Sequence, residues 1–181
     1  MASSYQKFSH LEHILARPDT YVGSLKQCNG VQWVMEDGKM IERALNYIPA
    51  LFKLFDEILV NAIDQCSTDP TVNKIKVTVT DSMIEITNTG VGIPIEKHEK
   101  YDNQWVPEMI FGELLTSSNY NDDEHRTTGG RNGYGAKLAN VFSSEFSVDI
   151  ASPVSKKRYQ QTWTGNMSVK TKPSVTKYHF A

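Results

Sequence analysis

Apolar and polar positions follow two rhythms along this chain. Between Pro49 and Cys66, Leu51, Phe55, Ile58, Leu59 and Ala62 recur at helical spacing behind a proline, which predicts a helix over that span. Lys74–Thr80 (KIKVTVT) and Met83–Thr87 (MIEIT) alternate residue by residue around Asp81-Ser82, which predicts an antiparallel hairpin. Gly90, Gly92 and Pro94 then mark a loop. Pro107–Leu115 predicts a second helix, and a third opens near Ala136 and carries Leu138, Val141 and Phe142. From Phe146 onward FSVDI, RYQQTW and TKYHF alternate in the manner of strands. Before about Gly30 there is no long periodicity, and Arg17-Pro18 interrupts any helix begun at Leu11–Ala16, so a short helix and then an arm are expected. A helix, a hairpin, helices and then strands is the order of an α+β chain with an antiparallel or mixed sheet.

Composition narrows the class. The 181 residues suit one domain with a proper core, and 39% hydrophobic with 22% charged residues is ordinary globular composition, not that of a disordered tail. With 19 Lys+Arg against 21 Asp+Glu the net charge is −2, so this segment has no electrostatic footprint for tight nucleic-acid binding of its own. Cys28 and Cys66 are too few for a disulfide framework and read as reduced thiols of an intracellular protein. No apolar run approaches the ~18 residues of a membrane span, and the polar start MASSYQKFSH is not a signal peptide.

Three constellations could carry chemistry. On the Pro49–Cys66 helix, Glu57, Asn61 and Asp64 fall within roughly 60° of one another, opposite the Phe55/Leu59/Ala62 stripe. That is either a solvated face or a general base one turn from an amide oxygen that could ligate Mg²⁺. Asn is a poor helix former where Lys or Glu would serve a plain surface, which favours the second reading. Asn88-Thr89-Gly90-Val91-Gly92 follows a strand; it is a strand-ending loop, or a place where backbone approaches a flat ligand and Asn88 reads a base edge. Gly129–Lys137 (GGRNGYGAK) puts glycines and then a lysine at a predicted helix start, where successive amides can face one anion. It is not a Walker loop, because Leu138 follows the lysine. Lys156-Lys157-Arg158 reads as a hairpin turn beside a strand.

An acid–Asn helix, a strand-ending xGxG loop and a Gly-rich segment before a helix stand in the order of the GHKL ATPases. In detail the chain resembles the N-terminal ATPase domain of the eukaryotic-type DNA topoisomerase II family. The matching strings are YQKFSHLEHILARPDTYVGS, FDEILVNAID, VPEMIFGELLTSSNY and TGGRNGYGAKLANVFS. The resemblance implies an α/β two-layer (Bergerat) sandwich, helices over one face of a mixed, mostly antiparallel sheet. It implies one domain over residues 1–181 with an N-terminal arm at 1–27, ending short of where the family's ATPase domain ends.

It also implies ATP and Mg²⁺ as cofactors. Glu57 would be the general base that activates water, and Asn61 the protein ligand of the metal. Asn88 would bond adenine with Thr176 behind it, while Ile93, Ile110 and Phe111 wall the base and sugar. Ser117, Ser118 and Asn119 would hold ribose and phosphate oxygens. Gly130, Arg131, Asn132, Gly133, Tyr134, Gly135, Ala136 and Lys137 would form the lid around the triphosphate. Tyr5 would reach the nucleotide of a second copy, making a nucleotide-dependent homodimer. DNA would be engaged through the full-length protein, in strand passage driven by ATP, with a nuclear location expected, a mitochondrial form left open and no membrane partner.

Asn88 stands where many GHKL members carry Asp, and Gln65-Cys66 follows Asp64 where relatives often show Asn and a charged residue. The family's catalytic lysine sits in a Gln-Thr-Lys loop on a following domain, and Gln161-Thr162-Trp163 is not that loop. The isolated chain is therefore expected to bind nucleotide with little turnover.

Overall fold

The computed structural model describes residues 7–116 and 134–179, and its chain divides into two compact units, Met1–Phe55 and Asp56–Ala181. In the first, α1 (His10–Ala16) opens on a reciprocal cap: the Glu12 amide donates to the Ser9 hydroxyl at 3.3 Å, and the Glu12 carboxylate accepts from the Ser9 amide at 2.7 Å. A 3₁₀ turn at Pro18–Thr20 follows where proline stops the helix, as expected. Ile14, Val22 and Ala50 are buried, and His13 Nδ1 shares a hydrogen bond with the Tyr21 hydroxyl at 2.8 Å.

Strands β1 (Cys28–Glu36) and β2 (Lys39–Tyr47) pair antiparallel, with Val34 opposite Ile41 and Met35 opposite Met40. Alternation does not reveal this hairpin, because Val31, Trp33, Val34 and Met35 put apolar side chains on both faces. Its signal lies in the turn. Asp37 (φ 48°) and Gly38 (φ 75°) both take left-handed backbone, the type I′ geometry that suits a right-twisted ribbon.

Helix α2 (Pro49–Thr68) starts at its proline and stops one residue before Asp69, whose own conformation is restricted by Pro70. In the second unit, β3 (Ile75–Val79) and β4 (Ile84–Asn88) form the expected hairpin in the register Val77↔Ile86. A two-residue pair, β5 (Lys97–His98) with β6 (Gln104–Trp105), leads into α3 (Val106–Gly112). Helix α3 ends before the expected Leu115 because Glu113 is extended and the Thr116 hydroxyl donates to the Met109 carbonyl at 2.9 Å, closing the last turn.

After α4 (Gly135–Val141) come β7 (Glu145–Ser152), β8 (Lys157–Thr164), β9 (Val169–Lys170) and β10 (Ser174–Lys177). Their order is β10-β8-β7, with β9 also on β8, and every pairing among the described residues is antiparallel. Lys156 takes the turn (φ 52°), while Arg158 enters β8 and grips Asp149 with its Nε at 2.8 Å. β8 turns Tyr159, Gln161 and Trp163 inward to a core with Leu138, Val141 and Val148. Phe146 stands edge-on to Trp163 at 6.2 Å between centroids, and Trp105 likewise to Tyr159 at 6.4 Å. Gly112 lies against the indole so closely that a Cβ there would sit 2.7 Å from Trp163 Nε1. No helix among the described residues is long and apolar enough to cross a membrane.

Candidate active site

The acid–Asn pair sits where helical spacing puts it. Glu57 is half-buried and Asn61 exposed one turn further along α2, and the Asn61 amide donates to the Glu57 carbonyl at 2.7 Å. That bond uses the amide nitrogen and orients the carboxamide, leaving Oδ1 as the atom suited to a hard cation. Asp64, a turn beyond, is half-buried on the same helix.

The start of α4 comes to this carboxylate. Gly135 lies so close to Glu57 that a Cβ built on it would overlap Glu57 Oε2 and stand 3.2 Å from Cδ. A larger residue there would need the end of the Glu57 side chain to move aside, so the start of α4 and the acid helix meet at one point. Tyr134 precedes the helix half-buried, and Ala136 and Lys137 are buried. Lys137 is 2% exposed, and its ammonium donates to the Thr116 carbonyl. Burial pulls its pKa down to about 8, with the Glu113 carboxylate acting in the opposite sense. A second side chain on α4 fixes the helix from below: the Asn140 amide donates to the Phe111 carbonyl at 2.9 Å.

Asn88 closes β4 exposed, and its amide donates to the Thr89 carbonyl at 2.9 Å. Ile93 follows half-buried. Phe111 is half-buried, 6.0 Å from the Phe146 ring, while Ile110 on the same helix is exposed. Thr176 is exposed on β10 opposite Arg158, and no hydrogen bond joins it to Asn88 among the described residues. Tyr5, Ser117, Ser118, Asn119, Gly130, Arg131, Asn132 and Gly133 lie outside the described residues. Gln161 of the QTW string is buried in β8 and donates to the Thr171 carbonyl at 2.9 Å, so it is a sheet residue and not part of a loop.

The sequence motifs give three residues of this region no role, although Glu108 lies within the VPEMIFGELLTSSNY string. Asp69, 6% exposed, accepts the Val91 amide at 2.7 Å. Glu108, 9% exposed, pairs with Lys170 at 2.8 Å, and Lys170 reaches Glu113 at 3.4 Å. Asp69 had one local sign, an Asp-Pro step just past a helix end; the Glu108–Lys170 pair had none, because its partners are distant in sequence.

The carboxylate of Glu57, the amide oxygen of Asn61 one turn away, the backbone at Gly135 and the buried Lys137 are the polar groups where α2 and the start of α4 meet. The family model described as histidine kinase-, DNA gyrase B- and HSP90-like ATPase matches residues 46–180, and the chain belongs to that family. Within it, the chain is 53% identical over 178 residues to a DNA topoisomerase 2 of Candida glabrata, and 51% identical over 181 residues to one of Saccharomyces cerevisiae. These alignments cover 96% and 98% of this chain but only 13% of each relative, so the chain spans about an eighth of their length. The structure superposes on the ATPase region of S. cerevisiae topoisomerase II with a TM-score of 0.95 at 49% identity, covering 100% of this chain and 49% of that one. It also superposes on the ATPase and transducer domains of DNA topoisomerase II from Balamuthia mandrillaris, with a TM-score of 0.93 at 47% identity, covering 98% and 46%. The fold is the α/β GHKL ATPase fold, and the chain is closely similar to the ATPase region of type II topoisomerases.

Proposed function

We propose that this chain binds ATP between α2 and the start of α4 and that Glu57 directs water against its terminal phosphate. The observation that carries this reading is the close approach of Gly135 to the Glu57 carboxylate, where a Cβ would displace the end of that side chain. It brings the backbone at the start of α4 beside an acid that can take a proton from water. Asn61 Oδ1 is the residue of this chain suited to hold Mg²⁺, which when bound neutralises charge on neighbouring phosphate oxygens. The oriented carboxamide of Asn61 and the Glu57 carboxylate one turn away are hard oxygen donors that fit such a group. Lys137 contributes a positive charge that burial has stripped of water, so its attraction to a phosphate is stronger than at a surface. Asn88 reads adenine, with Thr176 supporting it, and Ile93, Ile110 and Phe111 enclose base and sugar. Ser117, Ser118, Asn119 and Gly130–Gly133 complete the ribose and phosphate contacts.

In the larger protein this unit acts as the ATP-closed gate of a type IIA topoisomerase, which passes one DNA duplex through another in the nucleus. Two copies close on nucleotide through Tyr5 and the arm at 1–27 of a domain that runs through 1–181. A second reading holds for the 181 residues alone: a nucleotide-binding, dimerising module with little turnover. The sequence contains no Gln-Thr-Lys string, which supports it, since losing one contact to developing charge costs ~10²–10³ in rate. Phosphate release measured with this chain, and with the chain extended through a relative's transducer segment, separates the two. A sharp rise on extension is expected; equal rates would overturn the assignment of the missing lysine.

A further inference from the structure

We propose that Asp69 is a positioning residue of the nucleotide site, locking the Asn88–Gly92 loop to the C-terminal end of α2 and so fixing Asn88 relative to Glu57 and Asn61. The proposal rests on the nucleotide-site reading above and names what holds its two halves together. Asp69 lies in none of the motifs, yet every polar group it has is engaged. Its amide closes the last turn of α2 on the Gln65 carbonyl at 2.9 Å, and its carbonyl accepts the Val72 amide at 3.1 Å. Oδ1 accepts the Thr71 amide at 2.9 Å and the Thr71 hydroxyl at 2.6 Å. Oδ2 accepts the Val91 amide, 22 residues away in sequence, at 2.7 Å.

An Asp-Pro turn after a helix needs only the Thr71 contacts. The bond to Val91 is surplus to that turn, and it is the one that reaches the loop. The loop is shaped to receive it. Gly90 has φ +123°, and a Cβ there would lie 2.7 Å from Asp69 Oδ2 and 2.6 Å from Val72 Cγ2. From the opposite side the Thr89 hydroxyl accepts the Asn73 amide at 3.0 Å, and the Thr89 amide donates to the Lys74 carbonyl at 3.0 Å. Thr89 and Val91 are thus both pinned, and Asn88 immediately precedes them.

The chemistry calls for a carboxylate. Three donors converge on Asp69, and they hold its carboxyl below the usual carboxylate range, the Thr71 hydroxyl most and then the Val91 amide. Asparagine in its place would keep one acceptor and turn an N–H toward a donor. The bond to Val91 or the bond to Thr71 would be lost, with the shape of the side chain unchanged.

The test uses the 181-residue chain with Asp69→Asn and Gly90→Ala. Asp149→Asn, which removes the surface pair with Arg158, serves as the control. Each is titrated with non-hydrolysable ATP and GTP analogues in Mg²⁺, and Val91 amide hydrogen exchange is followed without nucleotide. Expected are an affinity loss of about tenfold for the ATP analogue in both loop variants and a smaller adenine-over-guanine preference. Val91 exchange should accelerate while the β3–β4 ladder keeps its protection, and the control should match the parent.

A purely structural role would weaken both analogues equally and leave the preference intact, and that result overturns the proposal. So does an unchanged Val91 amide. A parent chain that binds neither analogue overturns the nucleotide-site reading itself and the proposal with it. Should Asp69→Asn not fold, Gly90→Ala tests the same contact from the loop side.

Discussion

Helices α2 and α4 meet at Glu57 and Gly135, but they are built on opposite plans. Helix α2 runs for 20 residues and leaves Asn61 on its exposed side. Helix α4 has 7 residues, and Ala136 through Val141 are all buried, Lys137 and Asn140 included. A segment that short is far below the ~12–15 residues at which an isolated helix is even marginal in water. Its position is therefore set by packing and by two side-chain anchors, Lys137 on the Thr116 carbonyl and Asn140 on the Phe111 carbonyl. The long helix carries Glu57 and Asn61, and the short one is held in place against Glu57.

The contrast can be broken at four points, in falling order of effect. Glu57→Gln replaces the proposed proton acceptor on the long helix with a neutral group of nearly the same shape. In the chain extended through a transducer segment, steady-state phosphate release should fall by ~10²–10⁴ while nucleotide affinity stays near the parent's. Gly135→Val puts a side chain where the Glu57 carboxylate lies. Turnover should drop by about 10² through misplacement alone, and circular dichroism should show the helix content retained.

Lys137 gives the third, through pH. Its folded pKa of about 8 lies below the unfolded value of 10.5. Below pH 8 the ammonium is charged in both states and its burial costs stability; that cost fades as pH rises through 8, and above 10.5 both states are neutral. Folding stability from this group should therefore rise across the window while affinity for a triphosphate falls, because the charge that attracts phosphate is being lost. Denaturant titrations and calorimetry at stepped pH measure the two, and Lys137→Met should abolish both trends. Asn140→Ala is the mildest: it leaves the Phe111 carbonyl without its partner, and melting should report a loss of about 1–3 kcal/mol with turnover little changed.

What the sequence showed and what it hid divide along the same physical line. The stripe from Leu51 to Ala62 and the alternation of KIKVTVT are local patterns, and α2 and the β3–β4 hairpin appear within two residues of their expected bounds. Glu57 and Asn61 were legible for that reason, since their relation is one helical turn. The β1–β2 hairpin was not, because Val31, Trp33, Val34 and Met35 obscure the alternation and only Asp37-Gly38 marks the turn. Neither was the closeness of Gly135 to Glu57, nor the Asp69–Val91 bond, because each joins residues far apart in the chain. For those residues the family resemblance supplied expectations about lid and base that spacing alone could not.

The central claim is that α2 and α4 together form a nucleotide site, with hydrolysis on one and binding on the other. Calorimetric titration of a non-hydrolysable ATP analogue with Mg²⁺ into the chain, beside Glu57→Ala and Lys137→Ala, tests it most directly. The account predicts micromolar binding by the parent that survives Glu57→Ala and weakens with Lys137→Ala. No binding by the parent, or equal binding by all three, would contradict it.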